Sequence, residues 1–263
     1  MKEACDSRVL GAIRWVDAVS LTPISLPLIA TASPPYSGHL QFIRNYSGLT
    51  VITHADGLEA LIAVFDLKDL DPADAVDPGA LPALAGEVSD PSGNYLPRKF
   101  TLALPRDPDS KIDAETGLRP DHSLFEPEEI KLLLSPTAKT PAGWAQVRVL
   151  VTQPDGTPIP QTLARVVPAA GGPALGFGQT DARGEALVAL PGLQYFTAGA
   201  TEAEVFALAT EAKLELIFPP AGVSPVDWTV LAAATVASPD HVDPHPLHLR
   251  PGKLYSRVFP FTP

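Results

Sequence analysis

Asp155-Gly-Thr-Pro-Ile-Pro160 is followed twenty residues later by Thr180-Asp-Ala-Arg-Gly-Glu-Ala-Leu-Val188. Together they read as a hairpin corner, a strand, a second tight turn and another strand. Asp-Gly and Arg-Gly supply residues that tolerate positive φ, and the prolines fix the chain just outside the strands. Upstream, Trp144-Ala-Gln-Val-Arg-Val-Leu-Val-Thr152 alternates Val147, Val149 and Val151 with polar or exposed-type residues, the period of a half-buried strand. Leu175–Thr180 and Glu185–Leu190 flank the Asp-Ala-Arg-Gly turn. A small β-sandwich is the expected unit.

The same features occur a second time. Thr22-Pro-Ile and Thr157-Pro-Ile stand 135 positions apart, Gly57-Leu and Gly192-Leu also 135, and Gly48 and Gly184 stand 136 apart. Each match falls at a strand–turn junction, and the period is far too long for a solenoid. Two tandem copies of one sandwich follow. Strands are expected at 8–18, 28–32, 40–44 and 49–53, and two more around Asp90-Pro-Ser-Gly93. Further strands are expected at 124–136, 161–167, 205–218, 228–236 and 253–261, with short strands and turns at roughly ten-residue spacing as in all-β sandwiches. Residues 58–71 and 200–212 read equally as strand or short helix. The resulting organisation is a first sandwich at 8–105, a loop-rich connector at 106–143, and a second sandwich with a tail at 144–263.

Composition agrees. Of 263 residues, 45% are hydrophobic and 19% charged, enough apolar material for packed cores and too little charge for disorder. Thirty prolines and 19 glycines oppose long helices. The net charge of −11 repels phosphate backbones and no basic cluster offsets it, which argues against nucleic-acid binding. One cysteine, Cys5, excludes an internal disulfide framework. Met-Lys-Glu-Ala-Cys-Asp-Ser-Arg lacks an apolar h-region, and no run approaches a membrane span, so synthesis in the cytoplasm without a signal peptide or a membrane span is expected.

The valine-alternating strand, Asp155-Gly-Thr-Pro-Ile-Pro160 and Thr180-Asp-Ala-Arg-Gly184 resemble the carboxypeptidase regulatory-like, or transthyretin-like, β-sandwich domains over about 80 residues. That resemblance implies an all-β chain of two tandem Ig-like/transthyretin-like sandwiches and is nearly silent on function. The whole chain is similar to components of phage tail-like contractile injection systems, through Arg14-Trp-Val-Asp-Ala18, Arg44-Asn-Tyr-Ser-Gly48, Asp90-Pro-Ser-Gly-Asn-Tyr-Leu-Pro-Arg98, Leu104-Pro-Arg-Asp107 and the Asp-Ala-Arg-Gly-Glu-Ala-Leu-Val segment. This implies a non-enzymatic structural or adaptor subunit at the cap or baseplate, with other particle subunits and copies of itself as partners. The alternative is a carbohydrate- or cell-surface-binding module.

Candidate chemistry is sparse. His241, Asp243, His245 and His248 gather imidazoles and a carboxylate that suit a transition metal, but Pro244 and Pro246 bar a helix that would align them, and a solvated loop is the favoured reading. Asp107, Asp109, Asp113 and Glu115 could present oxygens to Ca²⁺, although no EF-hand spacing is present and an ordinary loop is favoured. Serine, histidine and aspartate occur without a Gly-x-Ser-x-Gly elbow, so no catalytic residue is nominated. Gly171-Gly-Pro173 and Gly176-Phe-Gly178 lack the Lys-Ser/Thr of a phosphate loop and read as hairpin turns; no cofactor is expected. Trp15, Trp144 and Trp228 read as core residues, with a sugar-stacking platform as the minority reading. Arg44, Arg98, Arg106 and Arg183 lie at turns and are the candidate contact residues, with loops 71–82, 106–123 and 238–251.

Overall fold

The computed structural model describes residues 9–34, 41–54, 83–104, 106, 123–193, 196–198, 205–207, 209–220, 227–236, 241–243 and 245–261. The described residues are all-β but for one short helix. It forms two compact units. The first is Met1–Val16, Thr22–Pro91 and Pro97–Lys131; the second is Asp17–Leu21, Ser92–Leu96 and Leu132–Pro263. Of the segment expected as a connector at 106–143, Arg106 and residues 123–131 fall in the first unit and 132–143 in the second.

The first unit contains β1 (Gly11–Asp17) and β7 (Glu128–Leu132), each except its last residue, with β2 (Ile29–Ala32), β3 (Gln41–Arg44), β4 (Thr50–His54), β5 (Leu84–Ser89) and β6 (Arg98–Leu102). One sheet has the order β3-β4-β1-β7 and the other β2-β5-β6. Alternation sorts the faces: Leu84 and Val88 of β5 and Phe100 and Leu102 of β6 are buried, with Glu87, Lys99 and Thr101 exposed between them. Phe100 meets Trp15 of the opposite sheet edge-on, ring centroids 5.5 Å apart. The Trp15 indole donates to Thr50 Oγ1 at 2.7 Å, which satisfies its one polar atom in the core.

The second unit contains β8 (Ala145–Thr152), β9 (Leu163–Pro168), β10 (Gly176–Gln179), β11 (Glu185–Leu190), β12 (Phe196–Ala198), β13 (Val205–Ala207), β14 (Thr210–Ile217), β15 (Leu247–Leu249) and β16 (Leu254–Pro260). Its sheets are β11-β8-β16 and β10-β9-β14-β15, with β12 paired to β13. Val147, Val149 and Val151 of β8 face Ala164, Val166, Ala212, Leu214 and Leu216 of the other sheet in one continuous core.

The repeat is visible in the strands. β3 at 41–44 and β10 at 176–179 keep the offset of 135, as does the bridge Val16↔Pro23 within a residue of its counterpart Thr152↔Pro158. β2 pairs with β5 and β5 with β6, as β9 pairs with β14 and β14 with β15. β1 lies between β4 and β7, as β8 lies between β11 and β16. Gly48 (φ 77°) and Gly184 (φ 74°) take the same left-handed conformation before β4 and β11.

One strand departs from the repeat. β3 pairs with β4, whereas β10 pairs with β9. A Cβ on Gly178 would stand 2.4 Å from Leu187 O, and one on Gly176 would stand 2.7 Å from Leu190 Cδ2. These glycines therefore let β10 lie against β11 at a distance no side chain permits. The position of β3 equivalent to Gly178 is Ile43, whose side chain bars so close an approach. Gly176-Phe-Gly178 thus lies in the strand expected at 175–180 and is not a turn, whereas Gly171 and Gly172, with φ of 86° and 120°, do form one.

Both outer faces of the second sandwich are covered. Leu187 and Ala189 point away from the main core into a cluster with Leu134, Ala138, Val19, Tyr95 and Trp144. On the other face Leu163 and Ile217 are covered by Leu133, Trp228, Leu231, Ala18 and Leu96. The segments 17–21, 92–96 and 132–138 are knit by backbone bonds, Ala18 N–H to Leu132 O, Leu96 N–H to Leu133 O and Ser135 N–H to Asn94 O. Tyr95 OH donates to Asp17 Oδ2 at 2.8 Å, while Asp17 Oδ1 accepts from Val19 and Ser20 N–H.

The strand expected at 228–236 is instead helix α1 (Trp228–Ala232). Asp227 caps it, accepting from Thr229 N–H, and Trp228 and Leu231 three residues apart bury on one face. The run Leu-Ala-Ala-Ala favours that outcome, since alanine is the best helix former. The alternatives left open for 205–218 resolve to two strands, β13 and β14. The readings at 58–71 and 200–204 and the loop 71–82 lie outside the described residues.

Candidate interaction surface

Three of the four candidate arginines donate to backbone carbonyls. Arg44 donates to Ile24 O at 2.9 Å and to Leu26 O, so it ties the Thr22–Pro27 turn to β3. Arg98 donates to Lys131 O. Arg106 is 6% exposed and donates to Glu126 O (2.8 Å), Ser123 O (3.4 Å) and the Glu128 carboxylate (3.1 Å). Its planar fork satisfies three acceptors that one ammonium could not reach together. Arg106→Ala is expected to cost about 2–4 kcal/mol, since it strands two carbonyls and a carboxylate, and Arg106→Lys is expected to recover less than half. Urea unfolding of the full chain measures both.

Arg183, 58% exposed, lies between Asp181 (3.0 Å) and Glu185 (2.9 Å). The Asp181 hydrogen bond, then the charges of Asp181 and Glu185, push its guanidinium pKa further up. Asp181 also accepts from Arg183 and Glu185 N–H, so this turn is rigid and its charges are locally balanced. In the corner 153–157, Thr157 N–H and hydroxyl hold the Asp155 carboxyl below the ordinary carboxylate range.

Several apolar side chains are also outward. Asn45 Oδ1 accepts from Leu49 N–H and fixes the β3–β4 turn, at whose tip Tyr46 is fully exposed. Leu21, Phe125, Val230, Leu254 and Val258 are exposed as well. Of the tryptophans, Trp15 and Trp228 are buried and Trp144 is half-buried, so no flat indole platform faces solvent.

The histidine-rich tail is dispersed. His241 packs edge-on against Phe218 and Phe261, which stack at 3.9 Å. Asp243 is buried and its carboxylate accepts from Arg257 Nε at 2.8 Å and from His245 N–H. His245 Nδ1 lies 3.6 Å from Asp243, whereas His248 lies 4.0 Å from Glu211. Only Asp243 and His245 are thus brought together, and among the described residues no three such groups converge as metal ligands. Asp107, Asp109, Asp113 and Glu115 lie outside the described residues.

Two charged pairs of the second sandwich were not anticipated. Arg257–Asp243 is one, and Arg165–Glu215 at 2.7 Å is the other. Arg165 and Glu215 are direct cross-strand partners on β9 and β14, and Arg165 also donates to Ala232 O and Ala234 O. It anchors the end of α1 beside a shallow cleft of about 390 Å³ lined by Gly171, Gly172, Pro173 and Phe177. An alternating strand leaves a single outward arginine, but its partner fifty residues away has no local signal.

The fold and these residues define a double β-sandwich with braced turns. No family model matches the chain, and no curated protein matches it. Among solved structures it is similar to the TIE protein of Bacillus anthracis, at 10% identity and a TM-score of 0.27, over 96% of this chain and 33% of that one. It is also similar to GBS52, the minor pilin of Streptococcus agalactiae, at 9% identity and a TM-score of 0.25, over 96% of this chain and 98% of that one. The chain thus spans about a third of the length of the TIE protein.

Proposed function

We propose that the chain is a non-enzymatic structural or adaptor subunit of a phage tail-like contractile injection particle, at its cap or baseplate, acting through protein–protein contacts. The observation that carries the adaptor reading is how the arginines are used. Arg44 and Arg106 brace turns through backbone carbonyls, and Arg183 is balanced by two neighbouring carboxylates. Such turns hold exposed apolar residues such as Tyr46 in fixed positions, which lowers the entropy lost when a partner is bound. The type of particle rests on the sequence resemblance carried by Arg44-Asn-Tyr-Ser-Gly48, Asp90–Arg98 and the Asp-Ala-Arg-Gly-Glu-Ala-Leu-Val segment.

The test is sedimentation of particles from producing cells, with the tagged chain followed by mass spectrometry. Co-sedimentation with sheath and tube proteins in fixed proportion is the expected result. A chain that stays in the supernatant while sheath and tube sediment would contradict the reading.

A further inference from the structure

We infer that β16 is a self-pairing edge, through which two copies of the chain join antiparallel across a twofold axis centred on Ser256. The argument begins with backbone direction. β16 runs parallel to β8, and in a parallel ladder alternate residues turn both N–H and C=O to the partner strand. Lys253 O accepts from Gln146 N–H and Phe261 N–H donates to Thr152 O. The odd-numbered residues of β16 therefore face β8, and Leu254, Ser256, Val258 and Pro260 direct their backbone groups to the open side. Among the described residues no strand pairs with that side.

The edges formed by β7, β6 and β15 are defended, and this one is not. β7 carries Glu128, Glu129 and Lys131, β6 carries Arg98 and Lys99, and β15 is three residues long. β16 has seven residues, and its outward side chains include Leu254 at 59% and Val258 at 65% exposure. Its one charge, Arg257, is on the inner face and neutralised by Asp243.

These features are complementary to a second copy. Antiparallel pairing about Ser256 sets Leu254 opposite Val258 of the second copy and Val258 opposite its Leu254. All three residues have the parity of hydrogen-bonded pairs, so the N–H and C=O groups of both edges are matched. Two exposed apolar residues on each copy then cover each other in cross-strand contact. Arg257 Nη1 already donates to Ser256 O, which retains a second lone pair for the new bond. Pro260 has no N–H and ends the ladder. The contact is small, so the dimer is weak and concentration-dependent. Two copies of net charge −11 repel, so salt strengthens it.

The inference adds an interface to the assembly reading without depending on it. Sedimentation equilibrium of the purified full chain is expected to give a monomer–dimer equilibrium that shifts toward dimer as salt rises. Ser256→Pro removes an open-side N–H that β8 does not use, and Val258→Lys removes the apolar contact. Each is expected to abolish the dimer with unchanged thermal unfolding of the monomer. In a Cys5→Ser background, Ser256→Cys places two thiols about 5.5 Å apart between Cα atoms, and mild oxidation is expected to give a disulfide-linked dimer. A chain that is monomeric up to its solubility limit overturns the inference. So does a dimer indifferent to both substitutions, or one that Ser256→Cys fails to trap. A monomer leaves the assembly reading standing, and absence from particles leaves the dimer standing.

Discussion

Residues 144–263 produced alone are expected to lack a cooperative unfolding transition, although every strand of the second sandwich is present. That fragment keeps the main core of β8, β9, β11, β14 and β15. It loses Leu134, Ala138, Val19 and Tyr95 from above Leu187 and Ala189, and Leu133, Ala18 and Leu96 from above Leu163 and Ile217. Leu163 and Leu187 are at most 1% exposed in the intact chain. Uncovering two leucines, an isoleucine and an alanine costs on the order of 5 kcal/mol at the usual value per buried side chain. Domains of this size have only about 5–15 kcal/mol in total, so the loss removes most of the margin. Extending the fragment to 132–263 restores Leu133, Leu134 and Ala138 and is expected to recover a transition at lower temperature than the full chain. Near-ultraviolet circular dichroism on heating distinguishes the two fragments from the full chain. A sharp transition for 144–263 at the full-chain temperature would show that the added segments contribute nothing.

Gly184→Val is expected to destabilise the chain by about 4 kcal/mol or more, and Gly48→Val by only about 1–2 kcal/mol. Both glycines have left-handed φ, so both substitutions carry the same conformational penalty of about 1–2 kcal/mol. Their surroundings differ. A Cβ at Gly184 would lie 2.4 Å from Val151 O and 3.3 Å from Ile159 N, both backbone atoms fixed in the corner that begins with Asp155. A Cβ at Gly48 meets only the Arg44 Nη2 at 3.8 Å. The difference between the two variants therefore isolates packing from conformation. Equal losses in urea unfolding would mean that the corner around Gly184 is looser than its geometry implies.

The strands were legible where the apolar period was local. Val147, Val149 and Val151 alternate, and the corner glycines at 48 and 184 announce the turns that precede β4 and β11. Their constant offset also revealed the repeat. Helix α1 was not legible, because Trp228-Thr-Val-Leu reads as a strand and only the Asp227 cap and the alanines oppose that reading. The covering segments were hidden for another reason. Asp17, Ser20 and Asn94 are turn residues by type, and their role depends on Leu132–Leu134 far along the chain. The arginines illustrate the same limit. A turn position suggests a solvated side chain, yet Arg106 is buried by acceptors 17 to 22 residues away. Gly176 and Gly178 resemble turn glycines in sequence, and only the approach of β10 to β11 explains them.

These placements put the candidate arginines into structural bracing, and contact is the use proposed for the exposed surface. Electron microscopy of particles from cells lacking this chain, and from cells in which it is restored, tests that account most directly. The account predicts that contractile particles are absent or incomplete at one end without the chain and return with it, and that Tyr46→Asp restores them poorly. Intact particles in undiminished number without the chain would contradict it.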